Sequence, residues 1–554
     1  MTRALTPSLP LRLLGVVLAL VVSLGGAGVA RADEDPSALR DEAFQAAQWA
    51  LATSAGAALA QLGVRFAAGD GDLARLVRER QDLVETWRGK DRRVLQLLGR
   101  TGREAESEAA RLRHDLDDLA RRIGEADATL EKRFPAYAAL ANPRPLSEAE
   151  TRRLLKPDEA LVLFLVSDAD TWVFAVSPRA ADWIRVPIGA ADLDERVRRL
   201  RRTLDPDGRS RAAESAFGDA TQQGRLGFDR ATAYDLYRRF LEPLAPVLGP
   251  AAQWIVVADG AFTSLPLAVL PTTAPEGDDN DPAALAATPW LVRSHALTTL
   301  PAVSSLQALR AFAPRPPGNE PFRGFGAPVL GGKGGGERGV SSYFRGARAD
   351  VEAVRGLAPL PATEVELKRL ASALKAGDGA IALGAAATET AVKRADLTRA
   401  RIVAFATHGL VSGELAGLAE PALVFTPPAD ASELDDGLLT ASEAAELKLS
   451  ADWVVLSACN TAAGDGSPGA EGLSGLARAF LYAGARAILV SHWPVGDEAA
   501  AEITTRTFAG LTATPEIGRA EALRRALVAM IDRDDRSFVH PSAWAPFVVV
   551  GDGR

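Results

Sequence analysis

Two residues of this sequence, Cys459 and His408, are of the types that form a nucleophile and its base. Cys459 is the only cysteine among 554 residues and follows the apolar run DWVVLSA, and His408 follows the apolar run RIVAFAT. A thiol with the ordinary pKa of about 8.5 is only a few per cent ionised at neutral pH, so it needs an imidazole that takes its proton. The pair predicts covalent catalysis at a carbonyl carbon. The alternative is a cysteine packed in the core as a small apolar residue.

The two apolar runs predict strands that end at the reactive residues. Both are apolar without alternation, as are strands buried on both faces of a parallel sheet, and a third such run ends at His492. If these strands are parallel neighbours, their carboxyl ends meet at one edge, where open α/β sheets place active sites. The loop after Cys459, NTAAGDGSPGAEG, is rich in glycine and small residues, so its backbone can approach a substrate closely.

Composition limits the classes of function. With 47% hydrophobic and 24% charged residues the chain is globular, and its length predicts several domains because single cores seldom exceed about 250–300 residues. A net charge of −8 gives no basic field, so nucleic acid is not an expected partner. Five scattered histidines and one cysteine have no spacing typical of metal ligands, so no metal or other cofactor is expected.

The first 32 residues have the pattern of a secretory signal peptide. Basic residues precede an apolar stretch from Leu13 to about Val22, and residues 30–32 read Ala-Arg-Ala, the small-residue spacing that signal peptidase recognises. Cleavage would release the chain into the periplasm or the medium, with no membrane attachment. The alternative is an uncleaved signal that anchors the chain, although the apolar stretch is short for a span of about 20 residues.

Residues 33–135 predict a helical hairpin. Apolar residues recur at alternating steps of three and four over 112–130, a similar row covers 73–97, and glycines at 99 and 102 separate the two rows. We expect a spacer or an arm for dimerisation, with a surface that recruits substrates as the alternative. Residues 136–229 predict a β-rich meander with helices, because the short apolar runs ALVLFLV, TWVFAV and DWIRVPI are separated by turns.

From residue 230 onward, helical runs alternate with apolar strands, the pattern of an α/β sheet with parallel strands. The strings FATHG, LSACNTAAG, EGLSGLARAFLYAGARAILVSHWPVGDEA and HPSAWAPFVVVGDG resemble the CHAT domain, a caspase-like member of the group that holds caspases, gingipains and separase. The resemblance covers residues 230–554. It implies a caspase-like parallel-sheet sandwich, with 341–554 as the catalytic unit and 230–340 as its front part or a degenerate caspase-like unit.

The same resemblance implies roles for individual residues. His408 would be the base, Cys459 the nucleophile, and the backbone N–H groups of Gly409 and Cys459 the oxyanion hole. The segment WPVGDEA is similar to the separase segment that carries an acidic specificity residue, so Asp497 would bind Arg or Lys before the scissile bond. The alternative for Asp497 is a solvated carboxylate that caps the following helix.

Three further residues are candidates around the predicted site. Asp465 and Glu471, in the loop after the cysteine, are alternatives to Asp497 or could order that loop. His492 is expected to line the substrate pocket, with a role as base the weaker alternative.

Two classes of function follow from the sequence. The first is an exported cysteine endopeptidase that acts on a protein or peptide substrate and is held latent until a protein partner or a loop movement completes the site. The second is a binding or assembly scaffold that keeps the caspase-like fold while its dyad is idle.

Overall fold

The computed structural model of the chain describes residues 35–51, 83, 87, 90, 103–133, 145–205, 227–311, 318–332, 344–345, 348–349, 351–377, 379–410, 421–432, 434–457, 475–493 and 495–554. The predicted signal peptide at 1–32 lies outside these residues. Among the residues described, no helix is both long enough and apolar enough to cross a membrane.

The strands in chain order are β1 (Glu159–Val166), β2 (Thr171–Val176), β3 (Ala181–Val186), β4 (Gln253–Val257), β5 (Ala296–Thr299), β6 (Arg323–Gly326), β7 (Phe344–Arg345), β8 (Arg348–Ala349), β9 (Ile381–Leu383), β10 (Ile402–Ala406), β11 (Gly409–Leu410), β12 (Ala422–Val424), β13 (Leu438–Thr440), β14 (Trp453–Ser457), β15 (Ala487–Ser491) and β16 (Phe547–Gly551).

The helices are α1 (Pro36–Ala50), α2 (Arg103–Arg133), α3 (Glu148–Leu154), α4 (Ala190–Leu204), α5 (Arg230–Phe240), α6 (Ala245–Leu248), α7 (Pro282–Ala287), α8 (Leu291–Ser294), α9 (Val303–Ala311), α10 (Val351–Arg355), α11 (Pro361–Ala373), α12 (Glu389–Arg394), α13 (Ala441–Glu446), α14 (Gly475–Ala483), α15 (Asp497–Ala513), α16 (Arg519–Ile531) and α17 (Pro541–Trp544).

One large sheet of eleven strands runs through the described chain in the order β3-β2-β1-β4-β5-β16-β15-β14-β10-β6-β9. Strands β15, β14, β10, β6 and β9 form a run in which each adjacent pair is parallel, and β16 is antiparallel to β15. At the other end, β1 is parallel to β4 and antiparallel to β2. The mostly parallel sheet confirms the predicted α/β fold class.

Helices cover both faces of this sheet. Val455 of β14 packs in one apolar cluster with α11, α15 and α16, whereas its neighbours Val454 and Leu456 pack in a second cluster with α14. Burial on both faces explains why β10, β14 and β15 are continuous apolar runs, since a strand with one solvated face would alternate apolar and polar residues.

The strands do not separate at residue 340. β6, from the segment predicted as the front part, lies between β10 and β9 in the C-terminal half of the sheet. The meander β1–β2–β3, from the segment predicted at 136–229, is antiparallel, and its strand β1 pairs with β4 in the large sheet. The chain therefore builds one continuous sheet from three of its predicted segments.

A cluster of buried charges joins β1 to the residues after β16. The fully buried carboxylate of Glu159 lies 2.7 Å from Nη2 of Arg310, whose Nη1 lies 3.4 Å from Oδ1 of Asp552. Asp552 also lies 3.0 Å from Nη2 of Arg486 and 3.5 Å from Nη1 of Arg519. These contacts tie the first and last strands of the described sequence to one another.

The predicted helical hairpin is described in part. α2 spans 31 residues and buries Leu119. Lys90 Nζ lies 2.7 Å from Oδ2 of Asp115, so residue 90 contacts α2. Most of the first predicted arm lies outside the described residues, and the hairpin and its role in dimerisation stay predictions.

Candidate active site

His408 lies just beyond the carboxyl end of β10. Its side chain is 4% exposed, and its Nε2 lies 2.8 Å from the carbonyl oxygen of Ala358. A carbonyl oxygen can only accept a hydrogen bond, so in the neutral ring Nε2 carries the hydrogen and Nδ1 keeps the lone pair that can take a proton. Ala358 therefore fixes the tautomer that a general base requires.

The pairing of β10 with β14 places two strand ends side by side. The strands are parallel, and Ala406 is opposite Ser457. His408 comes two residues after Ala406, and Cys459 comes two residues after Ser457. Cys459 itself lies outside the described residues, as do Asp465 and Glu471. The parallel neighbours expected from the two apolar runs are present.

The backbone around His408 is held by a small three-stranded sheet, β11-β12-β13. The N–H of Val424 donates to the carbonyl of His408 at 3.0 Å, and the hydroxyl of Thr407 donates to the carbonyl of Val424. Gly409 pairs with Leu423, one residue further along this antiparallel ladder. Because hydrogen-bonded and non-hydrogen-bonded pairs alternate, the N–H of Gly409 is directed away from β12, as an oxyanion donor would need.

A buried carboxylate supports the end of β14. Glu366 of α11 is 2% exposed, and its Oε2 accepts a hydrogen bond of 3.0 Å from the hydroxyl of Ser457. Ser457 is the last residue of β14, two positions before Cys459. Ala358, just before α11, contacts the histidine after β10, and Glu366, on α11, contacts the end of β14. This part of the chain therefore supports the carboxyl ends of both strands. Neither residue was among the candidates found from the sequence.

The comparison with protein families identifies this arrangement. The pattern of the CHAT domain matches residues 230–552, more than half of the chain. The chain belongs to the CHAT domain family. The resemblance found in the sequence is thereby confirmed.

Relatives of this CHAT chain are much longer proteins. Tetratricopeptide repeat protein 28 of Mus musculus is 35% identical over 30% of this chain, and its Homo sapiens counterpart is 30% identical over 35% of this chain. The match covers 8% of each relative, so the chain corresponds to a small part of their length.

Two solved structures are distantly similar to the CHAT chain. The separase–securin complex of Saccharomyces cerevisiae aligns with 81% of this chain and 34% of that chain at 10% identity and a TM-score of 0.39. The Arg-specific cysteine proteinase gingipain R (RgpB) aligns with 66% of this chain and 74% of that chain at 12% identity and a TM-score of 0.32. Both TM-scores are low, so the function proposed for this chain rests on its family and its own site.

His492 lies at the end of β15, one strand away from β14 in the CHAT sheet. It is 6% exposed, and its Nδ1 has no hydrogen-bond partner among the described residues. Burial, together with the positive charge of Arg201, lowers the pKa of His492 to about 3. The ring is therefore neutral at ordinary pH, and its basicity is too low for a general base, whose pKa should lie near the working pH.

Asp497 is the first residue of α15, which follows the β15 loop of the CHAT domain. The N-cap of α15 is Gly496, so Asp497 does not occupy the capping position considered in the sequence analysis. Within the described ranges, no group of three or more His, Cys, Asp or Glu residues could hold a metal ion.

A buried glutamate, Glu389, holds the segment that leads into β13 of the three-stranded sheet. Oε2 of Glu389, on α12, accepts hydrogen bonds from the N–H groups of Asp436 at 2.8 Å and Gly437 at 3.2 Å, just before β13. Lys393 lies 2.5 Å from Glu389 and 2.8 Å from Glu443. Burial raises the pKa of Glu389 to about 7 in spite of Lys393. The shift is upward because the Glu389 side chain is only 1% exposed.

Replacing Glu389 by glutamine is expected to change how CHAT-domain stability depends on pH. A raised pKa contributes stability below the ordinary value of 4.5, and that contribution is lost as the pH rises through about 7. Relative to Glu389→Gln, wild type should therefore lose up to about 3 kcal/mol of unfolding free energy between these pH values. Urea unfolding of both proteins across this range measures the difference.

Glu443→Gln is the matched control for that experiment. Hydrogen bonds from Lys393 and Thr440 outweigh burial and lower the pKa of Glu443, so its contribution is lost as the pH falls. Between pH 4.5 and 7 the difference between Glu443→Gln and wild type should therefore stay nearly constant, whereas the difference between Glu389→Gln and wild type should change. A flat difference for Glu389→Gln would contradict the raised pKa.

Proposed function

We propose that the chain is a cysteine endopeptidase in which Cys459 is the nucleophile and His408 is the base. The observation that carries this proposal is the parallel pairing of β10 with β14, in which Ala406 is opposite Ser457. Two positions further along the sequence come a histidine after Ala406 and the only cysteine of the chain after Ser457. The contact from Ala358 to Nε2 of His408 supports the assignment, because it leaves Nδ1 as the proton acceptor.

The reaction proceeds through an acyl-enzyme in the usual two steps of covalent catalysis. Nδ1 of His408 takes the thiol proton while Sγ of Cys459 bonds to the carbonyl carbon, and the carbonyl electrons move to the oxygen. The N–H groups of Gly409 and Cys459 stabilise this oxyanion by about 3–4 kcal/mol. Collapse breaks the C–N bond as His408 returns the proton to the leaving amine. Water, deprotonated by His408, then hydrolyses the thioester and restores the thiol.

Export belongs to the same proposal. Cleavage of the signal after Ala32 would give a mature chain that begins at Asp33 in the periplasm or the medium. An activating protein partner would complete the site if the isolated chain is latent.

The proposal is tested by incubating the purified chain with a mixture of peptides of all side-chain classes and identifying new termini by mass spectrometry. We expect cleavage at internal peptide bonds, with or without a candidate activating partner. No cleavage under any of these conditions would favour the scaffold function instead.

Asp497 is proposed to select Arg or Lys before the scissile bond. Asp497→Asn keeps the size of the side chain but removes the charge, so kcat/KM for basic substrates should fall about tenfold to hundredfold, the value of one charge-assisted hydrogen bond. Cleavage of substrates with a neutral residue at that position should stay the same. Glu498→Gln, at the next and exposed position of α15, is the matched control. Unchanged selectivity in Asp497→Asn would assign the pocket to another residue, with Asp465 and Glu471 as the next candidates.

A further inference from the structure

The residues before the CHAT match contribute a side chain to the edge at which β15 ends. Arg201 lies on α4, and the family match begins at residue 230. Its Nη1 donates hydrogen bonds to the carbonyl of Ser264 at 3.0 Å and to the carbonyl of His492 at 3.1 Å. One guanidinium thus connects three separate parts of the chain.

Arg201 also contacts the residue that follows His492. Its guanidinium carbon lies 5.5 Å from the centre of the Trp493 ring, within the range of a cation–π interaction. The ring of Trp493 is 1% exposed and is fixed on its other side by a hydrogen bond of 2.9 Å from its Nε1 to the carbonyl of Ser542. His492 and Trp493, the two residues that follow β15, are therefore held in place.

Stability alone gives little reason for a cation at this position. The Arg201 side chain is only 20% exposed, and its ion pair with Asp205 is long, at 3.5 Å. Burying a guanidinium costs desolvation energy, and an apolar side chain of similar length often replaces such a group with no loss of stability. An apolar side chain, however, cannot donate a hydrogen bond to the carbonyl of His492.

We propose that Arg201 is a positioning residue that holds His492 and Trp493, which follow β15, as part of the wall of the substrate pocket. This inference rests on the proposed function, because the pocket belongs to the endopeptidase site. It assigns residues 145–205 a part in substrate binding, although they lie outside the CHAT match. Loss of Arg201 should weaken the binding of peptides and leave the thiol chemistry at β10 and β14 intact.

Two labelling reagents separate these effects. Cys459 is the only cysteine, so alkylation reports on one site. Iodoacetamide needs only a reactive thiolate, whereas an arginyl-peptide chloromethyl ketone must also occupy the substrate pocket. In Arg201→Met we expect the rate constant for the peptidyl reagent to fall about tenfold, as for loss of hydrogen bonds from a charged donor. The iodoacetamide rate should stay within about twofold of wild type, because His408 is not among the described residues that Arg201 contacts.

Steady-state kinetics provide a second measurement. For a peptide that wild type cleaves, Arg201→Met should raise KM about tenfold and leave kcat within about threefold. This pattern is expected when the lost interaction stabilises the bound substrate and the transition state equally. Arg198→Met, on the same helix, is the matched control, since the Arg198 side chain is 62% exposed and lies 2.8 Å from Glu195 of the same helix. Arg201→Lys keeps the charge but replaces the planar guanidinium that lies over Trp493 with a smaller ammonium group, so its effect should be intermediate. It replaces the methionine variant if that variant fails to fold.

The outcomes are distinct. Equal losses with both reagents, or no loss with either, would overturn the role of Arg201 while the endopeptidase function stands. If wild type cleaves no peptide and reacts no faster with the arginyl reagent than with a glutamyl counterpart, the proposed function fails and this inference fails with it.

Discussion

Replacing Cys459 by alanine is expected to lower kcat/KM for peptide cleavage by about 10⁴ or more, because no other thiol can form the acyl-enzyme. His408→Ala should cost about 10³, since the thiol keeps its intrinsic nucleophilicity but loses its base. The double variant should be no worse than Cys459→Ala, because residues that act as a unit are not additive. Initial rates on one cleaved peptide, with the three variants beside wild type, measure these ratios.

A histidine elsewhere in the sheet serves as the control for this series. His295 is half-buried, stacks on Trp254 at 4.5 Å and contacts the carbonyl of Ala251, far along the sheet from β10. His295→Gln should therefore leave kcat/KM within about threefold of wild type when the protein is folded. Cleavage that survives in Cys459→Ala would show that the nucleophile lies elsewhere or that a contaminating peptidase is present.

The single thiol also allows the dyad to be tested without a substrate. The rate of iodoacetamide alkylation follows the thiolate fraction, so its dependence on pH gives the pKa of Cys459. If His408 lies beside the thiol as proposed, the midpoint should lie below the ordinary value of about 8.5, and His408→Ala should move it back toward that value. Identical midpoints in both proteins would mean that the imidazole does not contact the thiol.

The strands of the active edge could be predicted from the sequence because burial on both faces leaves a visible pattern. β10, β14 and β15 are unbroken apolar runs. The reactive residues that follow them in the sequence, His408, Cys459 and His492, indicated that the candidate site lies at their carboxyl ends. The order of these strands could not be derived from the runs alone. That order is set by packing between segments that are distant in the sequence.

Other parts of the site left weaker traces. Ala358 acts through a backbone carbonyl, and a carbonyl has no side-chain signature. Glu366 occupies the same buried stripe of α11 as Thr363 and Leu367, so a charged residue within an amphipathic stripe was the available signal. Arg201 stands among several exposed arginines of α4, and only the folded contacts distinguish it from them.

The second large effect concerns the buried charge cluster that joins β1 to the residues after β16, the first and last strands of the described sequence. Asp552 is 6% exposed and lies between Arg310, Arg486 and Arg519. Burial acts to raise the pKa of Asp552, but these three positive charges outweigh it and the pKa is lowered. Asp552→Asn keeps the shape and leaves the arginines without their shared anion, so we expect a loss of about 3–5 kcal/mol in the free energy of unfolding.

The sign of the pH dependence distinguishes this cluster from a packing defect. A lowered pKa contributes stability above the ordinary value of 3.8, which is lost as the pH falls, so wild type and Asp552→Asn should converge in acid. Asp535→Asn removes an exposed carboxylate from an ion pair with Arg533 and should cost far less, because solvent screens an exposed pair. Urea unfolding measures both variants. If Asp552→Asn costs no more than the exposed control, the charge cluster does not stabilise the contact between β1 and the residues after β16. The apolar packing of the sheet alone would then hold these segments together.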